Sequence, residues 1–186
     1  MTAIVGVVDR EAIWMGGDSA GVDSAFGLQI RADTKVFVNP PYIFGFTSSF
    51  RMGQLLRHAL APPEQVPSLS VDKFMSTVFV DAVRNCLKAG GYAKRENEVE
   101  HAGSFLVGYR GRLFHIQSDY QVAQASQPYA ATGCAVDVAL GALHAIFRFA
   151  AKMPPAKKVT AALEACERFS AGVRGPFIVE RLGGKS

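Results

Sequence analysis

Short apolar runs and helical repeats follow one another in blocks along this 186-residue chain, and their order constrains the fold more than any other feature. Residues 3–8 and 12–17 are β-branched and apolar runs joined by Asp9-Arg10-Glu11, the pattern of an antiparallel pair. Residues 19–34 are polar and glycine-containing and read as a loop or irregular ribbon. Lys35-Val36-Phe37-Val38 and Tyr42-Ile43-Phe44-Gly45-Phe46 are strand candidates on either side of the turn at Asn39-Pro40-Pro41. Phe50, Leu55, Leu56 and Ala59 then share a helical face, and the helix stops before Pro62-Pro63. A second helix, N-capped by Ser70, carries apolar residues from Val71 to Cys86 at spacings of three and four and ends at Gly90-Gly91. Residues 94–102 read as a charged loop, and Ser104–Tyr109 and Arg112–Ile116 flank a hairpin turn at Arg110-Gly111. A short strand at 129–133, helices over about 134–151 and 157–170, and a closing strand at 177–182 complete the order.

That order is four strands, two helices, three strands, two helices and one strand. An α+β arrangement of two antiparallel sheets face to face, with a helix pair outside each, buries both sheets. Periodicity alone is equally compatible with a two-layer α+β fold. The length suits a single domain spanning 1–186, and no internal repeat interrupts it.

Composition narrows the function classes. The net charge of +4 is spread along the chain and no basic run exceeds a pair, which argues against nucleic-acid binding. No apolar stretch reaches 18 residues and the first residues lack a basic leader, so neither a membrane span nor a signal peptide is expected, and a cytoplasmic protein is the default. The three cysteines, Cys86, Cys134 and Cys166, lie far apart and form neither a disulfide framework nor a zinc motif. Cys86 and Cys166 fall on apolar helical faces as small core residues. The four histidines lack metal-ligand spacing and no phosphate loop is present, so no cofactor is expected.

Thr2 carries the chemistry. It stands behind Met1 at the head of the first apolar run. Removal of Met1 leaves a hydroxyl nucleophile and a free α-amine in one residue. Such an amine has a reference pKa of roughly 7.7–8.0 and can accept the hydroxyl proton near neutral pH.

Thr2, Gly16-Gly17-Asp18 and Lys35 together resemble the proteasome β-subunit family, and most closely its HslV-type peptidases. Gly45-Phe46-Thr47-Ser48-Ser49 resembles the family's glycine-rich turn, Ala131-Thr132-Gly133 a later turn, and Glu167-Arg168-Phe169-Ser170-Ala171-Gly172 a segment near the family's C-terminus. Three departures stand out: Ser48 for Gly, Glu167 for Asp and Thr132 for Ser.

The resemblance implies the four-layer α-β-β-α sandwich of N-terminal-nucleophile hydrolases. It also implies an acyl-enzyme mechanism on Thr2. Lys35 would lower the pKa of the amine and the hydroxyl, and Asp18 would hold Lys35 charged. The Ser48 N–H would receive the oxyanion, Glu167 and Ser170 would orient the amine, and Thr132 would support its turn. Implied partners are peptide or unfolded-protein substrate, other copies of the chain in stacked rings, and a separate AAA+ ATPase. Two other readings keep the fold: a stand-alone amidohydrolase acting on a small amide, and a non-catalytic ring subunit. Retention of Thr2, Asp18 and Lys35 argues against the latter.

Overall fold

The computed structural model describes residues 1–96 and 99–183. Strands β1 (Ala3–Asp9) and β2 (Ala12–Gly17) form the expected hairpin, paired from Ile4↔Gly17 to Asp9↔Ala12. Arg10 turns it in the left-handed region, at φ 57°. The stretch read as a loop contains a small antiparallel ribbon, β3 (Ala20–Val22) with β4 (Leu28–Ile30). Strands β5 (Val36–Asn39) and β6 (Tyr42–Phe46) follow as expected, and then helix α1 (Phe50–His58).

The second predicted helix is interrupted. It comprises α2 (Val71–Phe74), a π-helical turn at Met75–Phe79, and α3 (Val80–Ala89). Ser70 caps it as predicted, accepting from the Lys73 N–H. The π turn has a local cause. The Ser76 and Thr77 hydroxyls donate back to the carbonyls of Asp72 and Lys73, at 2.8 and 2.6 Å, competing with the i→i−4 ladder.

The charged stretch 94–102 contains a second ribbon, β7 (Lys94–Glu96) with β8 (Val99–His101); residues 97 and 98 lie outside the described residues. Strands β9 (Phe105–Tyr109) and β10 (Arg112–Ile116) pair across the Arg110-Gly111 turn, whose two positive φ angles, 46° and 69°, suit a tight hairpin. The chain continues through β11 (Val122–Gln124), β12 (Tyr129–Gly133), α4 (Val136–Phe149), α5 (Pro155–Phe169) and β13 (Ile178–Leu182).

One sheet runs β12-β1-β2-β13 and the other β11-β10-β9-β6-β5. Their side chains sort into three apolar layers. Ala3, Val5 and Val7 face Leu143 of α4 and Val159 and Leu163 of α5. Ile4 on the opposite face of β1 joins Ile13, Met15, Ile43, Leu106 and Leu113 between the sheets. Tyr42, Phe44, Phe105 and Val107 pack beneath Leu55, Leu56, Phe74, Phe79 and Val83 of α1–α3. Three layers of contact make four layers of structure, the α-β-β-α sandwich, and exclude the two-layer alternative. Gly16 lets α5 approach: a Cβ there would meet Val159 Cγ1 at 2.4 Å. Among the described residues no helix is long and apolar enough to cross a membrane.

Candidate active site

The start of β1 is fixed from two sides. On one, the carboxylate of Asp18, just past β2, accepts from the Ala3 N–H at 3.0 Å and the Ala20 N–H at 2.9 Å. On the other, β12 ends at Gly133, whose φ of 112° is open to glycine and strained for other residues. A Cβ at Gly133 would meet the Thr2 carbonyl oxygen at 2.1 Å, and the Cys134 N–H donates to that same oxygen at 2.9 Å. Residues 18 and 133–134 thus hold the backbone of residues 2 and 3 between them.

Lys35 enters from the second sheet, immediately before β5, and its Nζ donates to Asp18 Oδ1 at 2.9 Å. The pair is buried, with 1% of the Lys35 side chain and none of the Asp18 side chain exposed. Burial pushes the lysine below its ordinary pKa, opposed by the charge and hydrogen bond of Asp18; the nearby Arg31 guanidinium pushes it down further. Arg31 is forked onto Asp33 at 2.7 Å for both bonds and lies 4.0 Å over the Phe50 ring, while Lys35 Nζ stands 5.7 Å from the same ring. Asp33, Thr34, Phe46, Phe50 and Gly53 line a cleft of about 110 Å³ beside this group. A roomier cavity of about 630 Å³ opens at the far strand ends, between Glu11, Pro41 and Arg110, away from Thr2. Size alone does not mark the chemistry here.

Thr2 is buried, at 6% exposure, beneath a half-exposed Met1. Its hydroxyl donates to the Met1 carbonyl, and its N–H donates to Cys134 Sγ at 3.3 Å. Ser48 sits in a left-handed turn at φ 65°, the conformation that its departure from glycine put in question. That conformation costs an L-residue about 1–2 kcal/mol. The Ser48 hydroxyl offsets this by accepting from the Ser104 N–H at 3.2 Å and sharing a hydrogen bond with Thr47 Oγ1 at 3.1 Å. Among the described residues the backbone N–H of Ser48 has no acceptor.

The remaining candidates divide. Thr132, expected to support its turn, instead shares a hydrogen bond across to His115 Nε2 of β10, at 3.1 Å, and so links the two sheets. Glu167 has no hydrogen bond to the Thr2 nitrogen among the described residues; its Oε1 accepts from the Gly175 N–H at 2.9 Å and ties the end of α5 to the segment leading into β13. Ser170 approaches Cys134 Sγ at 3.7 Å, one group removed from Thr2. Cys134 is the site residue that sequence reasoning missed. The signal available was the glycine before it, where a positive φ turns the chain back on itself.

The fold is the four-layer α-β-β-α sandwich of proteasome-like proteins of known structure. No protein-family model and no curated protein matches the chain. Solved structures do. BPH of Thiobacillus denitrificans in complex with epoxomicin is 19% identical, with a TM-score of 0.78 over 97% of this chain and 98% of that one. Eukaryotic HslV from Trypanosoma brucei is 15% identical, with a TM-score of 0.71 over 98% and 100%. Anbu (ancestral beta-subunit) from Yersinia bercovieri is 15% identical, with a TM-score of 0.60 over 97% and 81%. Identities this low establish the shared fold, and the motif resemblance agrees with it.

Proposed function

We propose that residues 1–186 form one proteasome-like domain that acts as a threonine-type peptidase through Thr2. The observation that carries this reading is the Asp18 carboxylate. One of its oxygens takes both the N–H of the residue after Thr2 and the ammonium of Lys35. A single buried group thereby ties a hydroxyl-bearing residue at the head of a strand to a lysine from the opposite sheet, and a structural ion pair has no need of a threonine there.

The mechanism begins with removal of Met1, because an amide nitrogen cannot serve as base. The Thr2 Oγ then attacks a peptide carbonyl. The Thr2 α-amine, directly or through one water, takes the hydroxyl proton and returns it to the leaving amine. Lys35, close by and positively charged, favours loss of that proton. The free N–H of Ser48 is the oxyanion donor, a role whose loss costs on the order of 100–1000-fold in rate. Water then hydrolyses the acyl-enzyme. The substrate is peptide or unfolded protein, enclosed by stacked rings of this chain and delivered by a separate AAA+ ATPase.

Intact mass, a fluorogenic-peptide assay and native mass test this together. The mature chain is expected to lack one methionine, to cleave the peptide, to lose cleavage in Thr2→Ala and to assemble as a ring. Epoxomicin, the ligand in the BPH complex, is expected to inhibit it. Full activity in Thr2→Ala, or a retained Met1 in the active protein, overturns the mechanism. An active monomer or dimer replaces the ring peptidase with the stand-alone amidohydrolase.

A further inference from the structure

The backbone around Lys35 is held from a direction that neither the proposed mechanism nor the motifs use. On the β6 side the Lys35 carbonyl accepts from the Phe46 N–H at 3.0 Å. Strand β5 is the edge of its sheet, paired with β6 alone. The alternate carbonyls, those of Thr34 and Val36, therefore face away from β6, where the sheet offers them no neighbouring strand. Arg57, half-buried on α1, reaches them instead. Its Nη2 donates to the Thr34 hydroxyl oxygen at 2.6 Å, to the Val36 carbonyl at 3.1 Å and to the Thr34 carbonyl at 3.2 Å. The Thr34 hydroxyl in turn donates to the Val36 carbonyl at 2.9 Å. The guanidinium lies 4.5 Å over the Phe37 ring, and Asp33 and Glu180 are near enough to favour its charge. One side chain thus bridges the residues on either side of Lys35.

We propose that Arg57 is a positioning residue for the proposed reaction, clamping the strand edge so that Lys35 is presented to Asp18 and Thr2. The assignment rests on the Thr2 and Lys35 reading. Helix α1 gives the clamp its leverage. Its N-cap is Ser49, directly behind the Ser48 turn, and Arg57 lies in its last turn. The helix therefore spans from the proposed oxyanion donor to the strand that carries the lysine, and sets one against the other. Lys35 Nζ sits at the end of a four-carbon stem, and its contact with Asp18 at 2.9 Å holds only if the stem starts from the right place. A displacement of about 1 Å in such a group costs up to about 100-fold in rate.

A clamp that acts through Lys35 has a signature that loss of fold lacks. The Lys35 ammonium lowers the pKa of the Thr2 amine by its charge, and the amine must be unprotonated to act as base. When Lys35 is held less closely, the amine pKa rises toward roughly 7.7–8.0, and the ascending limb of kcat/KM against pH moves up with it.

The test uses the mature full-length protein with a fluorogenic peptide, across pH. Arg57→Met keeps the apolar stem on Phe37 and removes the donors. It is expected to lower kcat about 10- to 100-fold at pH 7 with KM unchanged, and to move the ascending limb to higher pH. Thr34→Val removes two of the links without changing any charge. It is expected to move the limb the same way by a smaller amount, and it carries the test if Arg57→Met does not fold. Thermal melts and native mass establish that each variant is folded and assembled. A uniform loss with the limb unmoved overturns the proposal, as does a raised KM with unchanged kcat. A limb that moves in Arg57→Met and stays fixed in Thr34→Val also overturns it, because charge alone then accounts for the shift. Any of these, alongside inactive Thr2→Ala and Lys35→Ala, leaves the peptidase reading standing. Full activity in Thr2→Ala or Lys35→Ala overturns that reading itself.

Discussion

Replacing the two members of the buried ion pair separately and together should show that their energies are strongly coupled. In Asp18→Asn the Lys35 ammonium loses its carboxylate partner and stays almost wholly buried, 5.7 Å from the Phe50 ring. Breaking a buried pair in this way costs about 3–5 kcal/mol. A ceiling is set by neutralising the lysine: about 3.4 pH units below a reference pKa of ~10.4, at 1.36 kcal/mol each, is roughly 4.6 kcal/mol at pH 7. Lys35→Met is milder, about 1–3 kcal/mol, because the Asp18 carboxylate keeps the N–H bonds of Ala3 and Ala20. The double variant buries no charge, and its amide oxygen still accepts from one of the two backbone N–H groups. It should therefore be more stable than Asp18→Asn alone, although it carries one more substitution. Urea unfolding at pH 7 and one fixed protein concentration, followed through Trp14 fluorescence, measures all four corners of the cycle. A double variant whose loss equals the sum of the single losses within about 0.5 kcal/mol would refute the reasoning. Peptide cleavage should be absent from all three variants.

Two further outcomes are expected. Burial depresses the His115 pKa below its ordinary 6.5, so the unfolded chain binds the proton more readily and stability falls as pH drops below about 6.5 toward the folded-state pKa, then levels off; His115→Gln, which can still bond Thr132, should flatten the fall in Tm between pH 7 and 5 relative to the parent. Ser48→Gly should change stability by no more than about 1 kcal/mol, because relief of the left-handed strain offsets loss of the hydroxyl's two hydrogen bonds, and turnover should persist because the backbone N–H is retained; thermal melts and the peptide assay check both.

The long elements were legible because their patterns are local. Ile4, Val5 and Val7 alternate between two apolar layers, and the period of three and four from Val71 to Cys86 reports a buried helical face. What stayed hidden depends on partners distant in sequence or on backbone geometry. The three-residue strands β3, β4 and β11 carry too few residues for alternation to register. The π turn at Met75–Phe79 keeps its apolar pattern while two hydroxyls alter the ladder beneath it. In the site, Thr2, Asp18 and Lys35 could be read from motifs, and the structure brings Asp18 to both the Thr2–Ala3 backbone and Lys35. Glu167 took an orienting role from the resemblance of residues 167–172 to a family segment, whereas in the structure the chain after α5 bends back and engages it. Cys134 was passed over because its place follows from the positive φ at Gly133, which the glycine permits and no periodicity of side chains reports.

The Asp18–Lys35 contact joins residues carried by different sheets, one following β2 and the other preceding β5. Neither half of the sandwich contains it alone. A nascent chain with its hairpins formed but its sheets still apart has the threonine and lacks the cation beside it. On the proposed mechanism, chemistry at Thr2 would then wait for the two sheets to dock, and a chain whose halves are still apart would be inert.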